Sequence, residues 1–217
     1  PSAAEIAEAE RQMAEVRAKY EGTDQWMKAP NGKPTNLNER QWLQVRTENF
    51  KKWFGDWEND PKNASKVVDE NGEPRVVYHH TGNDFTEFMS GGQNSYMGMY
   101  SGEWFTTEKS KPVGILPSAD SRMDLFLNIR NPQDITDIQT VFFNIEENEY
   151  YIGQLEDNGN DGIRVYWDDE FGGETFIAVN PTQIKSATAN VGTFDPQNPD
   201  IRYQIDNAIQ SASPDMQ

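Results

Sequence analysis

The chain has no cysteine among its 217 residues. Disulfides, thiolate nucleophiles and cysteine-ligated zinc are therefore excluded. Histidine is nearly as scarce, with only His79 and His80 present. On a strand, adjacent side chains point to opposite faces, so this pair cannot easily share one ion, and no metal site is expected. Apolar runs are short. None approaches the ~18 residues that a membrane-spanning helix needs, and no charged-then-apolar leader pattern opens the sequence. No membrane partner is expected. Positive charge is thin: 19 Lys and Arg stand against 36 Asp and Glu, a formal net charge of −17. A surface this acidic repels phosphate backbones, so nucleic acid is a disfavoured partner. The same charge also keeps a protein soluble, which needs no partner at all.

Hydrophobic residues are few, at 35%, yet aromatics reach 12%. Disordered chains lack aromatics, so this composition predicts a packed, aromatic-rich core. The length suits one domain with flanking helices. Residues 3–20 read as a helix, because Ile6, Ala9, Met13, Val16 and Tyr20 recur at spacings of three and four. Gly22 and Pro30-Asn31-Gly32 break the chain after it. Asn36-Leu37-Asn38-Glu39 resembles a capping box with Asn36 as the cap, followed by a short helix through Val45. Thr47 can cap the next helix, where Phe50, Trp53, Phe54 and Trp57 share one face and read as a core anchor.

From residue 65 the pattern changes to strands. Val67-Val68 and Arg75 to His79 flank Asp69-Glu70-Asn71-Gly72-Glu73-Pro74, and the Asn-Gly pair predicts a hairpin. Further strands are expected at 103–106, 124–129, 141–145, 149–154, 162–167 and 174–179. Turn residues separate them, among them Gly91-Gly92, Asn131-Pro132 and Gly172-Gly173. Residues 181–187 are expected to add a short helical turn. The plan is α+β: helices first, then mainly antiparallel strands. The expected organisation is a helical segment over 1–64, a sheet domain over 65–205, and a polar tail or linker over 206–217.

Three short segments carry candidate chemistry. His79 ends a predicted strand, where it can be either a packed histidine or one that points into a pocket. Glu174 opens the strand Thr175 to Val179 directly after two glycines. A carboxylate there is either functional or an edge charge that blocks aggregation. Trp104 and Phe105 lie on one strand. Such a pair usually packs in a core, but alternation sends the two to opposite sides, so one can line a cleft.

Taken in order, Tyr78-His79-His80-Thr81, Gly102-Glu103-Trp104-Phe105-Thr106-Thr107 and Glu174-Thr175-Phe176-Ile177-Ala178-Val179 resemble the diphtheria-toxin and poly-ADP-ribose-polymerase branch of the ADP-ribosyltransferases. That branch has a strand ending in His-Gly-Ser/Thr, a Gly-x-Tyr-Phe strand, and a glutamate heading a later apolar strand. Longer phrases are similar to the transferase-type domain of large polyvalent proteins of phages and conjugative elements. They are Gln25 to Asn36, Phe54 to Asn59, Ala64 to Pro74 and Gly192 to Arg202, and the similarity spans about residues 21–204. His80 stands where the family has glycine, and Trp104 where it has tyrosine. Lys109-Ser110-Lys111-Pro112 occupies the stretch of a second tyrosine, and Pro112 discourages the helix usual there.

The resemblance implies a split, mainly antiparallel sheet of ADP-ribosyltransferase type, with NAD+ as substrate. It implies Glu174, His79 and Trp104 as catalytic residues. His79, His80, Thr81, Trp104, Phe105 and Thr106 would hold the dinucleotide. The implied activity is transfer of ADP-ribose to a protein acceptor by an effector or toxin. The chain would then be part of a larger polypeptide, cytoplasmic or delivered into a host cell by a phage or mobile element. Two alternatives stay open: an NAD+ glycohydrolase, and an inactive descendant kept as a binding module. The other transferase branch uses Arg, Ser-Thr-Ser and Glu-x-Glu. Glu147-Asn148-Glu149 fits only its last element, and no Ser-Thr-Ser exists here. A Rossmann dehydrogenase is not expected, because no Gly-x-Gly-x-x-Gly turn follows a strand and no βαβ alternation is visible.

Overall fold

A computed structural model describes residues 1–81, 87–88, 103–107, 121–136, 155–166 and 173–202, with backbone alone at 103 and 104. The expected strands at 141–145 and 149–154 lie outside these residues. So do Gly91-Gly92, Gly172, Lys109 to Pro112, Glu147 to Glu149 and the tail 206–217.

Helix α1 spans Ala3–Tyr20 and opens with a reciprocal cap between Ser2 and Glu5. Its apolar stripe is the one that faces inward: Ala9 and Met13 are buried, and Ile6, Val16 and Tyr20 are half-buried. Helix α2 spans Glu39–Gln44. Its cap is Asn38, which accepts from the Gln41 N–H, and not Asn36. Asn36 instead donates to Asp69 and Glu70 across the molecule. Helix α3 spans Glu48–Phe54, capped by Thr47 as expected. Its Phe50, Trp53 and Phe54, with Trp57 after it, are at most 3% exposed.

The strands are β1 (Val77–Thr81), β2 (Glu103–Thr106), β3 (Ser121–Leu127), β4 (Pro132–Ile135), β5 (Gly162–Tyr166), β6 (Glu174–Ala178) and β7 (Ile184–Ser186). They form one sheet in the order β4-β5-β6-β2-β1-β3-β7. Among the described residues, only the β4–β5 pair is parallel. The α+β architecture with a mainly antiparallel sheet is thus observed. β4 and β7 were not expected: β4 starts at Pro132, read as a turn residue, and in 181–187 the helical turn takes only Pro181–Gln183 before β7 begins. The turn at Asp69–Pro74 forms, with the Asp69 N–H donating to the Glu73 carbonyl at 2.8 Å. Its flanks, however, pair only at the single bridge Val68↔Pro74. Residues 75–76 are not in the ladder, and β1 pairs with β2 and β3 instead.

Two cores result. One joins the helices to the far end of the sheet, through Trp42, Phe50, Trp53, Phe126, Ala187 and Phe194. Phe50 stands at its centre, 5.2 Å from the Phe126 ring and 5.0 Å from the Phe194 ring. The other includes Val77, Phe88, Phe105, Leu125, Leu127 and Phe176. Phe126 alternates with Leu125 and Leu127 along β3, so the two cores lie on opposite faces. The helices cover one face, and the candidate site is built on the other.

One buried ion pair links the helices to the Asp69 turn. The Arg46 guanidinium donates to Glu73 at 2.7 Å, with side-chain exposures of 4% and 0%. It also donates to the Trp42 and Lys28 carbonyls, and its carbon lies 3.8 Å from the Trp42 ring centroid. The second Glu73 oxygen accepts from Thr35 at 2.6 Å. Both charges are paired and hydrogen-bonded, which is what a buried pair requires.

Candidate active site

The three strands that hold the expected site residues are neighbours, in the order β6-β2-β1. Phe105 pairs with Phe176, and Tyr78 with Thr106. The antiparallel register therefore sets His79 beside Phe105, and their rings are 5.5 Å apart. The imidazole also meets the Phe88 ring at 5.2 Å, edge to face. Phe88 and Phe105 are 5.5 Å apart, so the half-buried His79 rests on an aromatic floor. Phe105 is itself fully buried.

Glu174 is the first residue of β6, two positions before Phe176. Its side chain is therefore on the face that carries Phe176, Phe105 and His79. One strand lies between Glu174 and His79. From ladder spacing they are about 10 Å apart across the sheet and about 7 Å along it. Thr107 fixes the Glu174 backbone from both sides. The Thr107 hydroxyl accepts from the Glu174 N–H at 2.9 Å, and the Thr107 N–H donates to the Glu174 carbonyl at 3.0 Å. Gly173, at φ +84°, turns the chain into β6 in a conformation that favours glycine.

Alternation divides the expected site residues into two sets. His79, Thr81, Phe105 and Glu174 fall in one set of rows. His80, Trp104 and Thr106 fall in the other, where position 104 pairs with Ile177. The register thus brings His79 and Glu174 onto one face and places position 104 in the alternate row. Sequence reading missed Phe88, Thr107 and Tyr166. Thr107 ended the quoted motif but was given no role. Tyr166 pairs directly with Glu174 across β5 and β6, and parity counting from Glu174 would have found it.

The electrostatics of this edge are shared. Arg164 donates to Asp134 at 2.8 and 3.1 Å. That hydrogen bond chiefly raises the guanidinium pKa, with Glu174 contributing to the same effect. Burial raises the Tyr166 phenol; Arg164 opposes this, while Asp134 and Glu174 add to it. Among the described residues, no cluster of His, Asp and Glu could hold a metal ion. No described helix is long and apolar enough to cross a membrane.

A family model described as ADP-ribosyltransferase in polyvalent proteins matches residues 69–194. The chain belongs to this family. The match covers more than half of the sequence and includes all three strand segments of the site. It starts after α3, so the helices lie outside it. Comparison with curated proteins and with solved structures found no match. Membership makes the domain a transferase of the ADP-ribosyl class and agrees with the resemblance read from the strand motifs.

Proposed function

We propose that the domain binds NAD+ across β1, β2 and β6, cleaves its nicotinamide–ribose bond, and transfers ADP-ribose to a protein acceptor as an effector. The observation that carries this reading is the meeting of His79 and Glu174 on one sheet face, one strand apart. In this reading Glu174 accepts a hydrogen bond from the nicotinamide-ribose hydroxyl, and its charge stabilises the oxocarbenium character that develops on the sugar. Nicotinamide leaves as a neutral molecule with the electrons of the broken bond. The acceptor heteroatom bonds to the same ribose carbon and gives up a proton to solvent. His79 holds the adenosine-ribose hydroxyl, and the His80 backbone fixes the carboxamide. This role leaves a side chain tolerable at 80. Position 104 stands in the alternate row from His79 and Glu174, so Trp104 is given no contact with the nicotinamide on this face. Thr81 and Phe105 complete the wall on this face, and Thr106 stands in the alternate row. Holding the dinucleotide bent presents the scissile bond, which is an orientation effect.

The test is nicotinamide release from labelled NAD+, by wild type and by Glu174→Gln. Loss of a preorganised charge of this kind lowers turnover on the order of 10²–10³-fold. Trp104 in place of tyrosine, and Lys109-Ser110-Lys111-Pro112 in the stretch of a second tyrosine, favour a second reading, an inactive binding module. Equal and negligible turnover in both proteins would decide for that module.

A further inference from the structure

Tyr166 is the one exposed large aromatic residue among those described, at 37% exposure. The register places it directly opposite Glu174. It is not isolated. The Arg164 guanidinium lies over its ring at 5.2 Å, and Asp134 holds that guanidinium through two hydrogen bonds. Arg164 is therefore neutralised by its partner and fixed in place, while the Asp134 side chain remains 50% exposed. The strip from β4 to β6 thus presents an acid, a pinned aromatic ring and the Glu174 carboxylate in sequence. We propose that this strip docks the acceptor, and that the acceptor is a basic, arginine-bearing protein segment. The inference rests on the transferase reading above and names the partner chemistry of that same site.

Three observations select a cationic partner. An exposed aromatic side chain between two carboxylates attracts cations, and guanidinium groups stack on such rings better than ammonium groups do. Asp134 and Glu174 flank the ring, and Arg164 offsets only one of them. The whole chain carries a net charge of −17, which raises the local concentration of cationic partners and repels acidic ones. An edge so placed also delivers the acceptor beside the carboxylate that the reaction uses. Tyr166 acts here as a positioning residue for the acceptor.

The experiment has two arms. Binding of a labelled arginine-rich peptide is measured by anisotropy for wild type, Tyr166→Ala and Tyr166→Phe, with a glutamate-rich peptide of equal length as the control. ADP-ribose transfer to both peptides is then measured, with KM and kcat separated. Wild type is expected to bind and modify the basic peptide at least tenfold better. Tyr166→Ala is expected to weaken binding and raise the peptide KM at least fivefold with kcat kept within about twofold, and Tyr166→Phe to restore both. Equal binding by wild type and Tyr166→Ala overturns the inference, as does preference for the acidic peptide. The binding arm needs no turnover. If Glu174→Gln cleaves NAD+ as well as wild type, the transferase reading fails while the peptide result still decides this one.

Discussion

At the scale of single residues, the molecule places its unusual chemistry where it holds loops. Lys185 is fully buried on β7, and its ammonium donates to the Asn198 carbonyl at 2.5 Å. Burial pushes its pKa down to about 8 from 10.5, against the attraction of Asp195 and Asp200. These partners belong to the Gly192 to Arg202 phrase, which looked family-specific in sequence and which this lysine helps to secure. A stability prediction follows from the sign of the shift. Between pH 8 and 10.5 the unfolded chain keeps the lysine proton and the folded chain does not. Stability therefore rises with pH across that window, by at most about 3 kcal/mol. Urea denaturation of wild type and Lys185→Met at pH 7, 8, 9 and 10 would check it. The gap between the two should move in favour of wild type as pH rises, and a pH-independent gap would refute the assignment.

At the scale of elements, Gly55 ends α3 at φ +100°, and a Cβ there would meet the Ala64 Cα at 2.5 Å. Both the conformation and the space require glycine, because the chain doubles back and the Ser65 N–H bonds to the Phe54 carbonyl. Gly55→Ala is expected to cost more than about 2 kcal/mol in chemical denaturation, and a loss under 0.5 kcal/mol would show that the turn can relax. Elements such as α3 were legible because the aromatic spacing and the Thr47 cap agree. Strands β2, β5 and β6 were legible from apolar runs bounded by turn residues. β4 and β7 were not, because turn residues mark their starts: Asn131-Pro132 before β4, and Asn180-Pro181 with its helical turn before β7. The false cap at Asn36 shows the limit of local pattern: two asparagines two residues apart both fit, and tertiary partners at Asp69 and Glu70 took the first. The site was half legible. The strand segments came from the family resemblance, while their order β6-β2-β1 and the row shared by His79 and Phe105 depend on long-range pairing that no local window contains.

At the scale of the whole molecule, the family match begins at residue 69, yet the sheet it covers does not close its own core. Phe126 and Ala187 are buried against the helices, and Phe194 packs on Phe50 and stacks on Trp53 at 5.9 Å. Hydrogen bonds cross the same boundary. Gln41 donates to the Ala187 carbonyl at 3.1 Å, Gln44 to the Asn190 carbonyl at 3.2 Å, and the Trp53 indole to the Thr182 carbonyl at 2.9 Å. Removing residues 1–64 would open a contiguous aromatic surface to water and give up three hydrogen bonds, each worth about 0.5–1.5 kcal/mol net. Added to about 1.5–3 kcal/mol for each aromatic side chain returned to water, Phe126 and Phe194 among them, this rivals the roughly 5–15 kcal/mol that holds a typical domain together. A fragment of residues 65–205 is therefore expected to show no cooperative thermal transition by near-ultraviolet circular dichroism, while the full chain melts cooperatively. A fragment that melts cooperatively within a few degrees of the full chain would mean that the helices only decorate a self-sufficient sheet.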